Sequence, residues 1–196
     1  NADAVLTQAE FVPVAADANI EFVLAKQDPS GLPTTGIVRK QGPKEIYGPG
    51  DAILIGQTSQ WNPEEYLNMW VVPLVSPYLG FATFPTSNLP GLNFAPSAAI
   101  RDGVTVDYLF FGTGPGTAAN TNGRTATHEV GHYLGLRHIW GDGGCEVDDF
   151  VADTPYQDAP NNTICNDNPI RVSCENSNMI QNYMDYTPDA CMNLFT

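Results

Sequence analysis

Residues 128–138 read His128-Glu129-Val130-Gly131-His132-Tyr133-Leu134-Gly135-Leu136-Arg137-His138, the pattern HExxH extended by GxxH. On an α-helix, residues four apart lie nearly above one another, about 6 Å along the axis, so His128 and His132 can face one ion together. Glu129 stands beside them, near that ion but not bound to it. Gly135 can take the left-handed backbone that ends a helix and turns the chain, which would bring back His138 as a third imidazole. Three nitrogens leave one position of a tetrahedral ion open, the arrangement of catalytic zinc; structural zinc is normally closed by four protein ligands. Zinc in an open site lowers the pKa of water toward about 7, and a neighbouring carboxylate can take that proton and deliver it to a leaving amine. Glu129 is placed for this work. All three histidines of the chain fall inside the motif.

The 196 residues, 42% hydrophobic and 15% charged, have the scale and composition of one globular domain. Eight Lys plus Arg against 22 Asp plus Glu give a net charge of −14. That balance disfavours nucleic acid and anionic membrane as partners and favours calcium or cationic substrates. No apolar run approaches the roughly 20 residues that span a bilayer. Asn1 is not an initiator and no hydrophobic leader follows it, so any signal or pro-segment is expected to have been removed already. Cys145, Cys165, Cys174 and Cys191 all follow the zinc motif without CxxC spacing. An even number in a Gly-, Asp- and Asn-rich region points to two disulfides and a secreted, extracellular protein; three pairings are open.

Along the chain, Ile20–Leu24 reads as a short strand, residues 28–31 (Asp-Pro-Ser-Gly) as a turn, and Ile37-Val38 as a second extended piece. Asn62-Pro63-Glu64-Glu65 has the cap, proline and acids of a brief helix start. Met69–Val75 reads as a strand buried on both faces whose paired part ends at Pro73. Leu79–Phe84 reads as an edge strand, residues 86–100 as loop, and Val104–Phe111 as the last strong strand. The glycine-rich run 112–123 lacks the ending of a phosphate loop and is read as a connection. The zinc helix is expected from about Arg124, with Ala126, Val130 and Leu134 on its buried side. Residues 141–168 carry little periodic hydrophobicity. The order predicts an α/β protein: a sheet with the zinc helix over residues 1–138, then an irregular, disulfide-linked subdomain over 139–196, with a cleft between them.

The motif HEVGHYLGLRH, together with Asn182-Tyr183-Met184-Asp185-Tyr186, resembles the metzincin metallopeptidases, in particular the ulilysin-like and mirolysin-like members of the pappalysin family. The resemblance covers most of the chain, from about Ile20 onward. It implies a metzincin-type fold with a twisted mixed sheet, a zinc endopeptidase activity on protein or peptide substrates, and an edge strand at Leu79–Phe84 that binds substrate backbone. It implies that Met184 forms an apolar floor under the imidazoles, that Tyr186 can hydrogen-bond a developing oxyanion, and that Cys145 pairs with Cys174 and Cys165 with Cys191. It also implies structural calcium behind the zinc helix, where Asp142, Asp148, Asp149 and Asp153 cluster. Hard oxygens suit calcium, and Asp149, Asp153 and Thr154 are the chosen ligands. Asp189, five residues past Met184 and two before Cys191, matches an aspartate that receives arginine just after the scissile bond, with lysine second. Catalytic domains of this family normally begin with a further strand and helix and end with a further helix, so the chain is expected to be a single catalytic domain truncated at both ends. The alternatives are a catalytically impaired fragment and a zinc-stabilised binding module, against which the presence of Glu129 argues.

Overall fold

Strand β3 (Val104–Asp107) is the centre of a three-stranded mixed sheet, with β1 (Met69–Val72) parallel on one side and β2 (Gly80–Ala82) antiparallel on the other. The computed structural model describes residues 7–119, 121–162 and 170–196. All four residues of β3 are buried, as a strand paired on both edges and covered by helices requires. Asp107 ends it: one carboxylate oxygen accepts from Leu74 N at 2.7 Å and the other from Leu109 N at 2.8 Å, so the chain after β1 is tied to the end of β3.

Helix α1 (Ala52–Ser59) follows a single 3-10 turn at Pro49–Asp51 and buries Ile55 against Tyr47 and Trp70. Helix α2 (Arg124–Tyr133) packs on β2 and β3. Among its described residues, the second half has only the two-residue strands β4 (Val172–Ser173) and β5 (Asn176–Ser177). Its core joins Ile139, Trp140, Met179, Met184 and Leu194 to Phe11 from the start of the chain. Polar contacts replace regular structure there. The buried carboxylate of Asp185 accepts from Asn161 N (2.8 Å), Asn161 Nδ2 (2.6 Å), Gln157 Nε2 (3.1 Å) and Tyr186 N (2.8 Å), so both of its oxygens are paired, as a buried carboxylate requires. Cys145 and Cys174 are disulfide-bonded. Cys165 lies outside the described residues, and with it the expected bond to Cys191.

Several expectations are corrected. Ile20–Leu24 and Ile37-Val38 form no strand; Phe22 and Val23 are 56% and 75% exposed and pair with no described backbone. Asn62 caps one turn, accepting Glu64 N on its side chain and Tyr66 N on its carbonyl, and no helix follows. β1 buries one face only, with Trp70 inward and Met69 and Val71 outward. The buried side of α2 carries Thr125, His128, Glu129 and His132, not the apolar stripe; Leu134 lies past the helix end and is 49% exposed. On that side Glu129 lies against Gly80 of β2, and the histidines lie against Phe84, Leu136, Tyr183 and Tyr186. The turn at residues 28–31 forms as expected, with Gly31 N donating to Asp28 O and Gly31 at φ 78.

Candidate metal centre and active site

Asp189 sets where α2 begins. Its Oδ2 accepts from Asn122 N at 2.8 Å, Arg124 N at 2.9 Å and the Thr121 hydroxyl at 3.2 Å, which places a carboxylate at the positive end of the helix. One turn apart on the buried face stand His128 and His132. Beyond Tyr133 the chain turns back, with Leu136 N donating to Gly131 O and Gly135 at φ 103, and delivers His138 to the same point. One ligand atom from each imidazole lies within 4.8 Å of the others, and His132 Nε2 is 3.1 Å from His138 Nε2. Tetrahedral zinc with nitrogens at about 2.05 Å wants them about 3.3 Å apart, so small movements suffice.

The donor set fits that ion for a second reason. Each Nδ1 has an acceptor: Tyr183 O at 2.6 Å for His128, Leu136 O at 2.8 Å for His132 and Asp142 Oδ1 at 2.7 Å for His138. These partners place the ring proton on Nδ1 and leave each Nε2 lone pair for a metal. Burial holds the two helix imidazoles neutral, as ligation requires. It lowers His128 to about 4 and His132 to about 3, with further contributions from the neighbouring imidazoles.

Glu129 is 6% exposed, and burial pushes its carboxyl up to about 8. It lies against the backbone of β2: a Cβ on Gly80 would fall 2.7 Å from Glu129 Cγ and 2.8 Å from Oε1. The Tyr186 ring lies 4.9 Å from that of His138 and 5.6 Å from that of His128. Its hydroxyl is pushed up to about 12 by burial and by the charges of Glu129 and Asp142, so it stays a proton donor. Met184, 2% exposed, packs its sulfur against Gly131, the residue just before His132.

The acids behind the helix are less gathered. Asp149 is buried, and its carboxyl is raised to about 6 by burial. Asp153 is exposed, while Thr154 Oγ1 meets Thr196 Oγ1 at 3.1 Å. Among the described residues, the three histidines are the one tight group of His, Cys, Asp or Glu side chains able to hold a metal. Three contributors escaped the sequence reading. Gly80 carries no signal except being a glycine in a strand, and the carbonyls of Tyr183 and Leu136 carry none, because main-chain acceptors are invisible in sequence.

The comparisons with known proteins agree with this geometry. An extracellular metalloprotease of Arthroderma benhamiae is 40% identical over 136 residues, 66% of this chain and 43% of that protein. One of Colletotrichum graminicola is 37% identical over 153 residues, 75% and 51% respectively. The chain thus spans about half the length of the curated relatives it matches. Among solved structures, mature mirolysin of Tannerella forsythia in complex with a cleaved peptide superposes with a TM-score of 0.88 at 41% identity, over 100% of this chain and 73% of that one. Mirolysin in complex with compound 9 gives 0.86 at 43% identity, over 100% and 74%. The family profile of pregnancy-associated plasma protein-A matches residues 55–196, which hold the sheet, the zinc helix and the Met184 turn; the chain belongs to this pappalysin family of metzincin peptidases.

Proposed function

We propose that this chain hydrolyses peptide bonds as the catalytic domain of an extracellular zinc endopeptidase. The observation that carries the reading is the convergence of His128, His132 and His138, each anchored at Nδ1, beside a buried Glu129 that no described group hydrogen-bonds. When bound there, zinc supplies a Lewis acid for the scissile carbonyl and a water of lowered pKa. Glu129 holds a proton at neutral pH in the metal-free protein; beside the cation its ionised form would be favoured, and it would then take the proton of that water and pass it to the leaving amine. Tyr186, protonated across the neutral range, can donate to the developing oxyanion. Among the described residues β2 pairs only with β3, so its other edge is available to an extended substrate backbone. The net charge of −14 favours basic peptides over nucleic acid or anionic lipid.

Preference for Arg, then Lys, after the cut is assigned to Asp189. Its Oδ2 holds the helix start, and Oδ1 remains for a guanidinium. Calcium is assigned to Asp149, Asp153 and Thr154; the supporting observation is the buried Asp149 carboxylate, which is costly without a cation. Extracellular action is supported by the Cys145–Cys174 bond and the names of the relatives.

Digestion of a peptide library with and without chelator, read by mass spectrometry, tests the whole reading. The expected result is chelator-sensitive cleavage on the amino side of Arg. Asp189→Asn keeps an acceptor for the helix start but removes the charge, and should lose the Arg preference. An apolar residue after the cut would overturn the pocket. Zinc binding without turnover would instead favour a second reading, a catalytically impaired form of the same fold.

A further inference from the structure

His128 and His132 are fixed by the helix they stand on, whereas His138 lies beyond its end. Besides Tyr186 and the other two imidazoles, two neighbours hold the ring. The Trp140 indole lies face to face with it, centroids 4.3 Å apart and planes 7° from parallel, and Asp142 Oδ1 sits 2.7 Å from Nδ1. The chain reaches this position through a tight return in which Gly141 N donates to His138 O. Gly141 and Asp142 both adopt left-handed backbone, φ 61 and 62, a conformation uncommon outside glycine although Asp and Asn tolerate it. The return therefore has a cost, and what it accomplishes is to bring a carboxylate back to the one ligand that no helix orients.

We propose that Asp142 is a positioning residue for the third metal ligand, holding the Nδ1–H tautomer of His138 and aiming its Nε2 at the point where His128 and His132 converge. The inference rests on the zinc reading above. The other two ligands meet neutral carbonyls, so Asp142 is the sole anionic partner of the set. A carboxylate in that place makes the imidazole a better donor as well as orienting it, and losing such a partner commonly weakens metal binding about 10–100-fold. A turn-forming residue with no part in ligation would leave zinc affinity alone.

Zinc affinity, measured by competition with a chromophoric chelator, separates the two roles when paired with thermal melting of the metal-free protein. Asp142→Gly removes the carboxylate and suits the left-handed backbone, so the fold should stand while zinc affinity falls about 10–100-fold. Asp142→Asn, which keeps an oxygen for Nδ1–H, should fall less. In a His138→Ala background, Asp142→Gly should cost no further affinity, since the group it positions is gone. Unchanged zinc affinity in Asp142→Gly, or an equal loss with and without His138, overturns the proposal. Wild-type chain that binds no zinc would overturn the metal-site reading itself, a result distinct from tight wild-type binding with an indifferent Asp142.

Discussion

Gly80→Ala places one methyl group between strand β2 and the candidate general base. Gly80 sits in β2 with ordinary extended backbone, so alanine fits the main chain without strain. The new Cβ would lie 2.7 Å from Glu129 Cγ, 2.8 Å from Oε1 and 3.0 Å from Cδ, where ordinary contact begins at 3.4 Å. The Glu129 side chain must therefore retreat by several tenths of an ångström, and since Glu129 is buried on α2 the retreat moves the carboxylate within the site. Misplacing a reacting group by about 1 Å can cost on the order of 10²-fold, roughly 2.7 kcal/mol of barrier. The expected result is a kcat lowered by about 10²-fold on a fluorogenic peptide, with zinc content and thermal midpoint close to wild type. Gly50→Ala, whose Cβ meets nothing within 4 Å, is the matched control and should be silent. Wild-type kcat in Gly80→Ala would refute the placement of Glu129 against the strand, and lost zinc would show that the strain spreads to the ligands.

Other outcomes follow from the same structure. In the metal-free protein burial raises Glu129 from 4.5 to about 8, so the folded state keeps a proton that the unfolded chain releases. Stability is then lost as pH rises from about 4.5 to about 8. Glu129→Gln should match wild type at the acid end of that window and exceed its thermal midpoint increasingly toward the alkaline end; a constant margin would be incompatible with a buried acid. Gly131→Ala would drive a methyl into the Met184 sulfur and approach Phe195 Cε1 at 3.3 Å. Overpacking of this kind costs about 1–3 kcal/mol, and the loss on thermal melting should be less than additive with Met184→Ala. Reducing Cys145–Cys174 should cost about 2–5 kcal/mol and expose the segment between them first to limited proteolysis. Peptide maps showing equal cutting across both halves would contradict this.

The chemistry was more legible than the architecture. HExxHxxGxxH specifies a helix, a glycine turn and a third imidazole, and these appear at Arg124–Tyr133, Gly135 and His138. Chain-internal spacing carries that information. Burial was harder to read, because it depends on what covers a surface. The apolar residues of Ile20–Leu24 have the composition of a strand, but no described backbone pairs with them. The phase of α2 is hidden for the opposite reason: its polar side is the buried one, with Gly80 of β2 against Glu129 and with Phe84, Leu136, Tyr183 and Tyr186 around the two histidines. Helix α1 was missed because its eight residues, AILIGQTS, contain a glycine and two hydroxyl residues and have little amphipathic contrast. Gly56 is tolerated there because a Cβ would run into Ile100 O, a requirement no local pattern displays.

The three bonds from Asn122, Arg124 and Thr121 to a single oxygen of Asp189 bear on how this protein can be re-engineered. The carboxylate proposed to choose the substrate also starts the helix that carries His128, Glu129 and His132. Replacing it by an apolar residue to admit a different side chain would therefore fray the catalytic helix while it reshaped the pocket, confounding selectivity with loss of the active site. Directed evolution toward a new cleavage preference should leave Asp189 in place and vary the pocket walls around it. Libraries randomised at position 189 should yield survivors mainly at Asn, Ser and Thr, whose side-chain oxygens can still accept the freed N–H groups.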